Sequence, residues 1–252
     1  MISDDQRRQA LDDIRENIAR SGQHIYMVLA ETTPRWAYTI GVSESVGVEL
    51  VLAGAVFYTR DDVEKIILHT VAHLKTSRER EFVEVAGLGS FTLHKVDSSW
   101  ASELMLGVFD YYRKKDISAL QIVPDQDHWT IDVPDMSVPW SASQEPVWKW
   151  MREPWTYPVR EDSTAITDLA ALRGDRITEA CRWEEDEWEL FAGAGPDIAK
   201  DEMRMVALGT LLAVDPSLEP VTNLTIGTGL WRDATSEWHP WKKRGQSADI
   251  RS

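Results

Sequence analysis

The chain has 252 residues, 43% hydrophobic and 27% charged, which suits two domains at roughly 100–200 residues each and excludes a disordered or collagen-like polymer. Its 42 Asp and Glu against 27 Lys and Arg leave a net charge of −15, spread over both halves, so that nucleic acid and anionic lipid are repelled and a basic protein partner is attracted; the same acidity also serves solubility. No apolar run approaches the ~18 residues of a membrane span, Met1–Arg20 lacks the apolar core of a secretory signal, and the single Cys181 makes neither an internal disulfide nor a cysteine-based zinc site. The expectation is a cytoplasmic protein.

In chain order, Ser3 caps a first helix with Gln6 completing a capping box, Leu11, Ile14 and Ile18 on one face, and Ser21-Gly22 as the stop. Strand-like runs follow at residues 24–29, 36–42 and 50–56. A second helix after Arg60 carries the stripe Val63, Ile66, Ile67, Val71 and Leu74. Strands at 82–85 and 91–96 are joined through Gly87 and Gly89. A third helix from Ser99 buries Leu104, Met105, Val108 and Tyr112 and leads to a strand at 119–123 stopped by Pro124. Strands and helices interleave, so the first domain reads as α+β with a mixed sheet.

From Pro134 to Pro158 five prolines punctuate a stretch holding Trp140, Trp148, Trp150 and Trp155. Proline at that density excludes a long regular element, and four indoles are too much apolar area to leave wet. An ordered connector between domains is expected, and its tryptophans also offer a docking surface. The second domain then has strands at 165–171, 176–183 and 187–192, a helix at 201–212, and a closing segment through Gly227, Gly229 and Trp231. The expected division is 1–142, a first α+β domain; 143–160, the connector; 161–241, a second α+β domain; and 242–252, a polar tail.

Few constellations suggest chemistry. His69 and His73 share a helix face at metal-ligand spacing, but Thr70 stands where a metalloprotease needs Glu and no third ligand is nominated, so a solvated flank reads as well. Asp125, Asp127 and His128 follow a strand end, where proton shuttles and ordinary turns both occur. The glycine pairs at 87/89 and 193/195 lack the Lys-Ser/Thr of a phosphate loop. Gly41-Val42-Ser43-Glu44-Ser45 fails the nucleophile-elbow pattern at its last position. Cys181 reads as a small buried residue. The densest acidic run is Glu184-Glu185-Asp186-Glu187, followed by Trp188. It is either a solvated turn or a contact surface in which the carboxylates meet a partner's Lys or Arg and Trp188 is the exposed anchor.

Two resemblances add to this reading. Trp36-Ala37-Tyr38-Thr39-Ile40-Gly41-Val42, Glu49-Leu50-Val51-Leu52 with Gly54, Leu120-Gln121-Ile122-Val123-Pro124-Asp125 and Pro139-Trp140 resemble the domain-of-unknown-function 4262 family over residues 20–142, with Val48 where that family usually carries proline. Asp186-Glu187-Trp188-Glu189-Leu190-Phe191-Ala192-Gly193, the hydrophobic positions Val206, Leu208, Leu211 and Leu212, Asp215-Pro216-Ser217-Leu218, and Gly227-Thr228-Gly229-Leu230 with Arg232-Asp233 resemble the immunity-protein 33 (domain-of-unknown-function 2185) group. The second resemblance implies neutralisation of a toxin delivered between bacteria. Neither implies a cofactor, a metal or catalytic residues. The leading expectation is an immunity-type protein that occludes a basic cognate toxin through Glu184, Glu185, Asp186, Glu187 and Trp188. The alternative is a small-ligand binder or enzyme whose pocket is lined by Tyr38, Thr39, Gln121 and Asp125.

Overall fold

A computed structural model describes residues 4–77, 81–233 and 237–241. The expected Ser3 cap and the tail at 242–252 lie outside the described residues. The first domain opens with α1 (Asp4–Ser21), β1 (His24–Val28), β2 (Trp36–Ile40), a short α2 (Ser43–Val46), β3 (Glu49–Ala53) and α3 (Arg60–Thr76). It continues with β4 (Phe82–Val85), β5 (Gly89–Lys95), α4 (Ser98–Leu104), α5 (Leu106–Tyr112) and β6 (Ala119–Pro124). Its sheet has the order β1-β2-β3-β6-β5-β4, antiparallel except for the central pair β3 and β6.

Helices cover both faces of this sheet, which explains why all five residues of β3 are buried. On one face the five-residue stripe of α3 meets Leu50, Leu52, Phe91, Leu93 and Ile122. On the other, Ile14 of α1 with Trp100, Leu104, Met105 and Val108 packs on Tyr38, Ile40, Val51 and Ala53. Thr59 starts α3 with a capping box to Asp62. The single helix expected from Ser99 is two. Trp36 Nε1 donates to the Leu104 carbonyl (2.8 Å), Gly107 N donates to the Tyr38 hydroxyl (3.2 Å), and the chain kinks at Met105. Bonds to the sheet thus replace a turn of the helical ladder, and Tyr112 is left half-buried.

The second domain comprises β7 (Thr164–Asp168), α6 (Leu169–Leu172), β8 (Glu179–Arg182), β9 (Glu187–Phe191), β10 (Met203–Ala207), α7 (Leu208–Val214), β11 (Thr228–Arg232) and β12 (Trp238–Pro240). The sheet order is β10-β7-β9-β8-β11-β12, with β7 and β9 parallel. The chain therefore folds as two α+β units, as its interleaved pattern predicts. Two expectations are corrected. The strand at 165–171 ends at Asp168, whose carboxylate accepts from Ala171 N (2.9 Å) and opens α6. The helix at 201–212 is a strand followed by a helix, because Val206 and Ala207 enter the sheet while Arg204 reaches across to the first domain. Met, Arg and Ala favour helix in isolation, and tertiary contacts override that preference.

The connector is ordered and packed, and its 3-10 turn (Pro146–Met151) places successive tryptophans in different cores. Trp148 is fully buried against Trp36 and Trp100 of the first domain, with ring centroids 6.2 and 5.8 Å away, and its Nε1 donates to Asp132 O. Trp150 donates to Gly209 O of α7, and Trp155 and Tyr157 pack near it against the second core. Trp148 and Trp150 are buried and so are not available as a docking surface, while Trp140 and Trp155 are half-buried. The domains are further joined through the loop after β3. Arg35 of the first domain donates to the carbonyls of Ala55 and Tyr58, while Arg204 of the second donates to those of Val56 and Phe57. Gly54 (φ 69°) and Ala55 (φ 57°) are both left-handed, and that curl gathers the four carbonyls toward the two guanidinium groups.

Candidate functional site

The two faces of the second sheet differ sharply. One is covered by Leu208, Leu211 and Leu212 of α7 and by Leu218 and Val221 of a 3-10 segment, all packed on Ala165, Ala180, Trp188, Leu190 and Val206. On the other no described α-helix packs; the 3-10 turn Gly195–Asp197 lies against Phe191, with Gly195 N donating to Glu179 (3.0 Å), and Cys181 and Phe191 are buried. Strand register places Glu179, Cys181, Glu189, Phe191, Ile166, Met205, Trp231 and His239 on that open face. Met205 is 63% and Trp231 41% exposed, and Trp183 and Trp241 flank them at 47% and 38%. A hollow of about 410 Å³ is floored by Cys181 and walled by Glu179, Glu189, Trp183 and Trp241. Gly229 matters here, because a Cβ would stand 2.6 Å from the Trp241 ring.

Charge is segregated between those faces. Among the described residues, the strand arginines Arg182, Arg204 and Arg232 all register on the covered side. Arg182 lies over the Trp188 ring (4.9 Å) and Arg232 over Trp238 (4.4 Å). Arg232, fully buried, also donates to Asp215 (2.7 Å). The open side carries the carboxylates Glu179, Glu187 and Glu189. Cys181 offers no nucleophile, since burial, reinforced by the Glu189 charge, pushes its thiol up to about 11.

This geometry corrects the expected contact patch. In β9 the side chains alternate, so Glu187 and Glu189 face outward while Trp188 points into the core, 1% exposed. Trp188 cannot anchor a partner. Glu184, Glu185 and Glu187 are exposed and Asp186 half-buried, in a β8–β9 turn that Arg182 pins by donating to the carbonyls of Glu184 and Glu185. The aromatic residue beside the acidic turn that does reach solvent is Trp183. Sequence reasoning missed Trp183, Trp231 and Met205, although the alternation Glu187-Trp188-Glu189-Leu190 already separates the two faces.

The four residues expected to line one pocket in the first domain are dispersed. Tyr38 borders an apolar groove of about 330 Å³ between α1 and α5, which the Arg7–Asp110 ion pair spans; burial pushes its hydroxyl up to about 12. Thr39 is buried and donates to Glu49 (2.5 Å), which also accepts from Gly41 N, Ser43 N and the Tyr112 hydroxyl. In the sequence Glu49 stands out only as part of the motif at 49–52. It is a buried carboxylate with four donors that fixes the turn after β2. Gln121 is buried in β6, donating to Pro134 O and accepting from Met136 N. Asp125 lies beyond the end of that strand and pairs with His128 (2.6 Å), whose ring stacks on Tyr58. Burial opposes ionisation of Asp125, but the amides of Ser90 and His128 and the His128 ring outweigh it and hold the carboxyl below its usual range. The pair ties the β4–β5 turn to residues 125–128.

His69 is exposed and His73 half-buried on α3. Among the described residues no three His, Cys, Asp or Glu are grouped as a metal site, and no described helix is long and apolar enough to cross a membrane. No curated protein and no solved structure matches the chain. Residues 17–129, from the later part of α1 through Trp129, match the family model described as Domain of unknown function (DUF4262).

Proposed function

We propose that this chain is an immunity-type binding protein that neutralises a cognate toxin domain by covering a basic region of it with the open face of the second sheet. The observation that carries the reading is the segregation just described: exposed Trp231, Trp183 and Met205 stand among Glu179, Glu187 and Glu189, and the strand arginines are turned to the other side. Exposed indoles ringed by carboxylates suit a cationic polypeptide, since the rings supply desolvated area and the charges supply steering and register. The mode is occlusion, with no bond made or broken. The resemblance of the second domain to the immunity-protein 33 group is what specifies a toxin as the partner.

The test is coexpression with a toxin-type effector, which this reading expects to be encoded beside it. The wild-type chain is expected to restore growth, and a Trp231→Ala/Met205→Glu double variant of unchanged melting temperature is expected to fail. Binding of the purified pair should weaken steeply between low and physiological salt. Rescue by the double variant, or salt-independent affinity, overturns the assignment to this face; a gene neighbourhood without an effector overturns the toxin.

A further inference from the structure

The largest cavity described has no part in that reading. It is a cleft of about 510 Å³ on the side of the first sheet facing away from α3, where residues 129–147 cross β5 and β6 and Val214 of α7 closes one end. His94 and Gln121 stand opposite each other on its floor, paired in register. Gln121 spends its amide on the backbone of Pro134 and Met136 and so holds the wall in place. The volume falls within the roughly 300–1,000 Å³ of small-molecule sites.

The charged side chains of the lining are Asp135 and Glu145, with His94 on the floor close enough to lower the Asp135 pKa. Glu145 uses Oε1 to accept from Asp135 N (2.8 Å), and Asp135 uses Oδ1 to accept from the amide and hydroxyl of Ser137. The second oxygen of each carboxylate has no described partner. No lysine or arginine lines the cleft, the Trp129 indole forms part of its wall, and the remaining surface is mostly aliphatic. Two carboxylates with free acceptor oxygens beside an indole are the complement of an ammonium or guanidinium carried on an apolar body. Burial, with the nearby charge of Asp135, already pushes the Glu145 carboxyl above its ordinary value, so a cation entering the cleft would relieve an existing electrostatic cost.

We infer that this interdomain cleft binds a small organic cation, an alkyl or aryl amine or guanidine, with Glu145 and Asp135 as its counter-charges and Trp129 as its aromatic wall. Affinity should fall on acidification, because protonation of Glu145, the more easily protonated of the pair, removes a counter-charge, and positive charge on His94, which acts on Asp135 from β5, works in the same direction. The full chain would be titrated by calorimetry with agmatine and with tyramine, using 4-hydroxyphenylacetate as the acid counterpart of tyramine. At least one cationic probe is expected to bind with Kd below about 1 mM while the acid gives no heat. Glu145→Gln, whose amide oxygen can still accept from Asp135 N, should weaken that binding at least tenfold with an unchanged melting temperature. Trp231→Ala should leave it unchanged, which separates this site from the protein-binding face. Absence of binding by both cations, equal binding of the acid, or full affinity in Glu145→Gln overturns the inference.

Discussion

The two sheets are built to similar size from similar strands, yet they end in opposite states. The first is enclosed: α3 covers one face, α1, α4 and α5 much of the other, and β3 is apolar on both sides except for Glu49, which is fully hydrogen-bonded. The second is half-finished, with one face under α7 and the other covered only in part, by the turn at 195–197 against Phe191, so that two tryptophans and a methionine stay exposed. A sheet with an apolar, single-signed open face costs solubility unless something covers it, whereas an enclosed sheet can interact only at clefts and edges. On the readings proposed above, contact with a large partner falls to the second domain and small-molecule recognition to the cleft beside the first.

The sharpest way to break this comparison uses neighbouring tryptophans on opposite faces of one sheet. Trp188→Ala should cost about 3–5 kcal/mol of unfolding free energy, as expected for a large core truncation, and chemical denaturation would measure it. Were Trp188 an exposed anchor instead, the loss would be small. Removing the buried carboxylate of the enclosed sheet comes next. Glu49→Ala strands the donors of Gly41, Ser43, Thr39 and Tyr112 and should cost about 3 kcal/mol; a neutral result would mean that water enters behind β3. Arg204→Met deletes the bonds to Val56 and Phe57 and should cost about 1.5–3 kcal/mol, seen in calorimetry as a single melting transition separating toward two.

A pH experiment sharpens the picture of the covered side of the second sheet. Burial works to raise the Asp215 pKa, but the Ser217 hydroxyl and Arg232 outweigh it and hold the carboxyl below its ordinary value. A depressed folded-state pKa adds stability that is present above the unfolded value, near 3.8, and is lost as pH falls through the folded one. Denaturation midpoints should therefore drop between pH 5 and pH 3, and Asp215→Asn should flatten part of that slope. The smallest effect belongs to the open face. Trp231→Ala should change stability by no more than about 0.5 kcal/mol while weakening partner binding, and a large loss of stability would mean that the face is part of the fold.

Much of this architecture is legible in the residues. The stripe from Val63 to Leu74, the run from Glu49 to Ala53 and the dense prolines around Trp148 each carry a periodicity or a constraint with few structural solutions. What escaped depends on contacts distant in sequence. The break at Met105 follows from bonds to Trp36 and Tyr38, some seventy residues earlier, and β10 is a strand because Arg204 has carbonyls to reach in another domain. The candidate sites divide in the same way. The acidic turn at 184–187 is visible as composition, but the face it borders is assembled from six strands whose register no local pattern declares. The cleft of Glu145 and Asp135 exists only because residues 129–147 fold back across β5 and β6.

Trp148 gives the connector a further meaning. Its indole completes the core of the first domain by wedging between Trp36 and Trp100, although it follows the end of the family match by nineteen residues. A transplant of the matched stretch into another protein would carry the sheet but leave a vacancy the size of an indole at its centre. The unit that can be inherited or exchanged intact therefore extends through the 3-10 turn, and recombination that shuffles the second domain must cut after Trp148 for the first to survive.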